Sequence, residues 1–245
     1  MTVYLVGAGP GSPDLLTLRA ARLLAQADVV VHDRLISPEI LALAPATAVL
    51  VDAGKGPGDS LRQASISALL VEFSRSHEHV VRLKGGDPFL FGRGGEEAVE
   101  LLAAGVPFEV VPGVSSALAA PAAAGIPVTY RGVSSAVTVV AGHRRADEED
   151  TTDWHLLAGL DHTLVVLMGA ERRAQIAAGL LSGGLAPETP VAAVRWATTN
   201  RQEVVRGTLR DLADLPVRSP ATLVIGAVAG FDLRWVDVRE LADVR

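Results

Sequence analysis

The sequence predicts an α/β protein with two domains. Residues 1–130 form a mostly parallel sheet with helices on both faces, and residues 131–245 form a mixed sheet. Three observations carry this reading. Short apolar runs alternate with helical periods through residues 1–125. Several of these runs end in a loop of Gly, Pro, Ser or charged residues. The later runs at 191–196 and 203–207 are separated by only a short polar turn, which marks an antiparallel hairpin.

In chain order, 3–6 is an apolar strand closed by Gly7-Ala8-Gly9-Pro10-Gly11. Ser12, Pro13 and Asp14 then read as helix cap, first-turn proline and dipole-favoured acid. Leu15, Leu16, Leu18, Ala21, Leu23 and Leu24 supply the apolar face of that helix. A strand at 29–31 ends at His32-Asp33-Arg34, and one at 49–51 ends at Gly54-Lys55-Gly56-Pro57-Gly58. A helix over 60–73, a strand at 80–83, a helix over 94–103 and a strand at 108–111 follow. Residues 115–124 form a helix of very small side chains. Beyond the change in pattern near 126–131 come strands at 137–141, 163–167, 191–196, 203–207 and 223–227, with a helix over 171–181. The charged run 144–150 reads as a solvated loop.

Composition narrows the function. Hydrophobic residues make up 49% and charged residues 20% of the 245, enough for a real core. No window approaches the ~18 apolar residues of a membrane span, and the first residues lack the basic start of a signal peptide. The absence of cysteine removes disulfides, thiolate nucleophiles and Cys-ligated metals, and points to the cytoplasm. The six histidines lack metal-site spacing, so no metal is expected. A net charge of −6 argues against nucleic acid or an anionic membrane as partner, but leaves room for an acidic substrate in a locally basic pocket.

The densest signal is the loop after the strand at 80–83, Lys84-Gly85-Gly86-Asp87-Pro88-Phe89-Leu90-Phe91-Gly92-Arg93. Adjacent glycines allow positive φ and close backbone approach, and aromatics, two of which fall in this loop, make up only 4% of the chain. On a parallel sheet the loops 7–13, 32–35, 84–92 and 112–116 open on one carboxyl edge. They predict a cleft lined by Pro10, Asp33, Lys55, Gly85, Gly86, Asp87, Ser115 and Ser116. The Gly7-x-Gly9-x-Gly11 pattern only superficially matches a dinucleotide fingerprint. Its third glycine is one position early, and Pro10 and Pro13 remove N–H donors that a pyrophosphate needs. A flat, mostly uncharged ligand such as an adenosyl group suits these loops better.

Taken in order, the segments 6–17, 32–35, 54–55, 80–97, 111–117 and 124–129, with Met168-Gly169, resemble the tetrapyrrole methylase family, most closely its uroporphyrinogen-III C-methyltransferases. The resemblance implies a homodimer and S-adenosyl-L-methionine as methyl donor in a cleft between the two domains. It also implies methylation of two pyrrole carbons of uroporphyrinogen III, giving precorrin-2 for sirohaem or cobalamin. No dehydrogenase–ferrochelatase region precedes the matching residues, which implies a stand-alone enzyme. Carried over by position, Pro10, Gly85, Gly86, Asp87, Leu90, Ser115, Ser116, Met168 and Ala197 correspond to donor contacts. Asp33 and Lys55 correspond to proton acceptor and donor. A substrate with eight carboxylates needs cations, for which Arg34, Lys55, Arg82, Lys84, Arg93 and Arg131 are candidates, with Tyr130 beside the acceptor.

Departures from the family pattern gather where substrate and cofactor are expected to sit. Tyr130 stands where the family has His, Ala123 and Leu167 where it has Tyr, and Ala197 where it has Gly; the loop 56–63 is one residue short and lacks a His. The alternatives are a relative methylating another precorrin or small molecule, and a non-catalytic binder of S-adenosylmethionine or tetrapyrrole.

Overall fold

The computed structural model describes residues 1–54, 63–142 and 152–234; Lys55, most of the shortened loop 56–63 and the charged run 144–150 lie outside the described residues. Five of the apolar runs become β1 (Thr2–Gly7), β2 (Val29–His32), β3 (Val49–Asp52), β4 (His79–Lys84) and β5 (Phe108–Val111). They form one sheet in the order β3-β2-β4-β1-β5, with every neighbouring pair parallel. Parallel strands are buried on both faces, and the alternation shows it. Val30, Val6, Val81 and Leu83 join a core with Leu24 and Ile40. Their neighbours Val29, Val31, Leu5 and Val80 face the other core, with Leu70 and Leu101. The helices that cover the sheet are α1 (Leu18–Leu24), α2 (Pro38–Leu41), α3 (Gln63–Ser74) and α4 (Gly94–Ala103).

A second sheet holds β6 (Val137–Ala141), β7 (Thr163–Leu167), β8 (Pro190–Arg195), β9 (Glu203–Thr208) and β10 (Ala221–Ile225), in the order β6-β7-β10-β8-β9. It is mixed, as expected: β6 and β7 are parallel, β10 runs against β7 and β8, and β8–β9 is the antiparallel hairpin. Around it lie α5 (Ser116–Ala123), α6 (Trp154–Ala158) and α7 (Arg173–Ser182). Leu164, Val166, Ile176, Leu180, Leu212 and Leu223 fill its core.

The chain divides into two units after Ser115, earlier than residue 130. Helix α5 belongs to the second unit because its small side chains let it lie close on β7, β8 and β10. Arg206 holds its end, donating to the Ala124 and Ala229 carbonyls at 2.9 and 2.8 Å. The pattern change near 130 is instead a turn, in which Tyr130 and Ser134 exchange backbone hydrogen bonds.

Three local expectations are corrected. Ser12 makes no side-chain cap and precedes a single 3-10 turn at Pro13–Leu15. Helix α1 begins later, with the Thr17 hydroxyl accepting from the Ala20 N–H, and this rotation leaves Leu18 on the surface. The helix expected from 171 opens as a 3-10 turn at Ala170–Arg172 before α7. Among the described residues no helix is long and apolar enough to cross a membrane.

Candidate functional site

All five strands of the first sheet point the same way, so their following loops share one edge, and backbone contacts lock those loops together. The amides of Ala8 and Gly9 donate to the carbonyls of Lys84 and Gly86, at 2.7 and 3.2 Å, and Gly86 N–H returns a bond to Gly9 at 2.8 Å. The turn after β1 therefore spends these donors on the loop after β4, which removes the dinucleotide reading. A Cβ on Gly113 would lie 2.2 Å from the Gly86 carbonyl oxygen, and one on Gly7 would lie 2.6 Å from Gly113. These glycines exist so that three loops can touch. Gly85 differs: a Cβ there would meet nothing within 4 Å, so it stands on the open rim.

Asp87 staples this rim. Its carboxylate accepts from Phe89 N–H at 2.8 Å and Gly113 N–H at 3.1 Å, joining the loop after β4 to the loop after β5. Within the 84–93 loop, Phe91 and Arg93 have positive φ, and Gly94 donates to the Pro88 carbonyl at 2.9 Å. Leu90 is half-buried in the same loop, and Pro10 and Ser115 sit half-buried on the loops after β1 and β5. Gly54, the last described residue before Lys55, packs on the Arg34 backbone, where a Cβ would come within 2.8 Å of the Arg34 nitrogen.

Asp33 closes the β2 end. Its N–H donates to Leu83 carbonyl at 3.1 Å, and its Oδ2 accepts from Gly85 N–H at 3.2 Å. Its Oδ1 receives Arg82 Nη2 at 2.5 Å. Arg82 is 2% exposed, and its Nε donates to Glu97 Oε1 at 3.0 Å; Glu97 is fully buried. Lys84, 1% exposed, donates to the same oxygen at 3.0 Å and lies 2.9 Å from Oε2. Burial, then the neighbouring Arg82 charge, pushes the Lys84 pKa down against the pull of Glu97. Burial also works against the Arg82 charge, but Asp33 and Glu97 outweigh it and hold its pKa above the usual arginine value. Asp33 is the member that reaches solvent, with its side chain 37% exposed.

This corrects the placement of Arg82 and Lys84 as cations for a substrate, because both are buried and paired with carboxylates of this chain. Arg93 is partly exposed and ion-paired to Glu96 at 3.0 Å, while Arg34 and Arg131 are exposed. The sequence reading missed Glu97. A signal was present, since Arg82 and Lys84 are two apart and face one side of an otherwise apolar strand. Two buried cations need an anion, and the next helix supplies it.

Met168 and Ala197, in the second unit, follow β7 and β8, which run in the same direction on either side of β10. Met168 is 50% exposed with φ 57°; Trp196 and Thr198, which flank the buried Ala197, have φ 47° and 65°. Left-handed backbone outside glycine is uncommon and concentrates at functional loops. All five such residues among those described lie in the 84–93, 168 and 196–198 loops. Gln202, also missed, fixes the 196–202 loop: its Oε1 accepts from Thr198 N–H at 2.8 Å and its Nε2 donates to the Ala123 carbonyl at 3.1 Å. Tyr130 packs edge-on against Phe231 with ring centres 4.9 Å apart, and Ser116 opens α5.

The family model for Tetrapyrrole (Corrin/Porphyrin) Methylases matches residues 2–213. The chain belongs to this family. Among curated tetrapyrrole methylases, it is 43% identical over 234 residues to the uroporphyrinogen-III C-methyltransferase of Priestia megaterium, covering 94% of this chain and 98% of that one. It is 50% identical over 238 residues to the siroheme synthase of Psychromonas ingrahamii, covering 95% of this chain and 50% of the relative. The chain thus spans about half the length of the siroheme synthases it matches. The uroporphyrin-III C-methyltransferase of Thermus thermophilus, solved with S-adenyl homocysteine, superposes with a TM-score of 0.83 at 46% identity, over 93% of this chain and 98% of that chain.

Proposed function

We propose that this chain is an S-adenosylmethionine-dependent methyltransferase that methylates uroporphyrinogen III at two pyrrole carbons to give precorrin-2, on the route to sirohaem and cobalamin. One observation carries the reading: end-to-end similarity to the Priestia megaterium uroporphyrinogen-III C-methyltransferase, with an intact glycine-lined rim around Asp33. The rim fits an adenosyl donor. Gly85 leaves open space where a side chain would intrude, and the 84–93 loop carries the positive-φ residues Phe91 and Arg93.

When bound, the donor supplies a methyl group already activated on a sulfonium, so the protein needs no nucleophile or metal of its own. Pro10, Gly85, Gly86, Asp87, Leu90, Ser115, Ser116, Met168 and Ala197 hold the donor. Asp87 acts here through the rim, since two backbone N–H groups occupy its carboxylate. Asp33 accepts the proton released from the acceptor, and the buried Arg82 holds its carboxylate in place. Lys55 returns a proton. Arg34, Arg93 and Arg131 meet substrate carboxylates, with Tyr130 against the acceptor. The working form is a cytoplasmic homodimer, a reading that rests on the resemblance carried by the sequence motifs and on the cysteine-free sequence.

Incubation with methyl-labelled donor and uroporphyrinogen III tests the activity. The expected product carries two labelled methyl groups. Donor binding with no transfer to this acceptor would reject the assignment and select another acceptor or a binding role.

A further inference from the structure

We propose that Glu97 is a positioning residue: buried on the first turn of α4, it fixes the Arg82 guanidinium so that Nη2 is held on Asp33. This rests on the methyltransferase reading, in which Asp33 serves the reaction. The geometry accounts for each face of the guanidinium. Nε is committed to Glu97 at 3.0 Å, Nη1 donates to the Val31 and Leu83 carbonyls at 3.3 Å each, and Nη2 meets Asp33 at 2.5 Å. The guanidinium is a rigid planar fork, so fixing its Nε side fixes the direction of Nη2. Among the described residues, Glu97 supplies the charge on the Nε side. The two Nη1 contacts are longer and reach neutral carbonyls, which bind a guanidinium less strongly than a carboxylate does.

Glu97 also balances charge. The cluster holds two cations, Arg82 and Lys84, against two anions, Glu97 and Asp33. Without Glu97, both buried cations would compete for the one exposed carboxylate, and Arg82 would be free to turn about its side-chain bonds. The position of Glu97 suits an anion, since carboxylates are favoured in the first turn of a helix. Its burial explains why it cannot itself touch a substrate.

The test separates positioning from charge balance alone. E97M keeps the side-chain length, removes both acceptor oxygens and strands two buried cations, so its stability will fall. E97M/K84M removes one anion and one cation together and restores the balance. We expect the double variant to regain most of the melting temperature that E97M loses. Its kcat for methyl transfer should stay about 10- to 100-fold below wild type, the range for a misplaced catalytic group. Donor KM should stay within about threefold, because Arg82 and Lys84, the cations that Glu97 holds, are not proposed donor contacts. A second readout needs no acceptor. In nitrogen NMR the two Arg82 Nη groups should give separate signals in the wild type and merge in E97M/K84M. Wild-type kcat in the double variant, or Nη signals that remain separate in it, would overturn the proposal. A wild-type protein that fails to methylate uroporphyrinogen III would reject the substrate assignment instead, and the NMR result would still decide the role of Glu97.

Discussion

Asp33 is the exposed end of a buried chain of charges, and its chemistry is set by what stands behind it. Asp33→Asn keeps an oxygen for Arg82 but removes the base. Turnover should fall by about 100-fold or more while donor affinity changes by less than about threefold, as steady-state kinetics and calorimetry would show. Equal losses in both would make Asp33 a binding residue. A second carboxylate, Asp28, has a structural task. Its Oδ2 accepts from the N–H groups of His79 and Glu78 at 2.9 and 3.0 Å, tying the start of β2 to the start of β4. The His79 N–H above all holds its pKa below the ordinary 3.8. The folded value is depressed, so its contribution is complete above pH 3.8 and is lost as pH falls through the folded value. The group is exposed, and screening limits its worth to about 1 kcal/mol. Asp28→Asn should therefore melt about 2–4 °C lower at neutral pH, with the gap closing toward pH 2. A gap that is constant with pH would exclude this linkage.

Among the elements, the glycine loops do two different jobs that the sequence alone does not separate. Gly113 is needed where the loop after β5 crosses the loop after β4, and Gly113→Ala would drive a Cβ to 2.2 Å from the Gly86 carbonyl. Backbone on both sides cannot yield, so the cost should exceed about 2 kcal/mol. Thermal melting should show a drop of roughly 4–8 °C. Gly85→Ala meets nothing within 4 Å and should leave the melting temperature within about 2 °C. It should instead weaken S-adenosylhomocysteine about tenfold, a loss of ~1.4 kcal/mol. If Gly85→Ala binds normally, Gly85 is not at the donor. The convergence of loops at one edge was legible in the sequence, because a parallel sheet requires it. The division of labour among the glycines was not, because it depends on which backbones cross.

Across the whole molecule, the residues proposed to hold the donor are shared between two units with separate cores. Pro10, the 85–87 loop, Leu90 and Ser115 belong to the first, and Ser116, Met168 and Ala197 to the second. Met168→Ala is expected to reduce S-adenosylhomocysteine affinity about tenfold by calorimetry. If it has no effect, Met168 is not at the donor. Saturating the intact protein at about 100 times the dissociation constant should stabilise it by about 2.7 kcal/mol. That corresponds to a rise of roughly 5–10 °C in the melting temperature.

Periodicity and loop composition determined the strand-and-helix alternation, the parallel first sheet, the hairpin and the Asp33 rim, because these follow from local patterns of side chains. Strands 108–111, 137–141 and 163–167 and the helix 94–103 are found where the pattern places them. The tertiary structure decided what depends on partners distant in sequence. It moved the cap of α1 to Thr17, gave α5 to the second unit, and turned Arg82 and Lys84 from candidate substrate cations into buried partners of Glu97. A charged side chain reads the same in a sequence whether it faces water or a carboxylate; packing alone chooses between them.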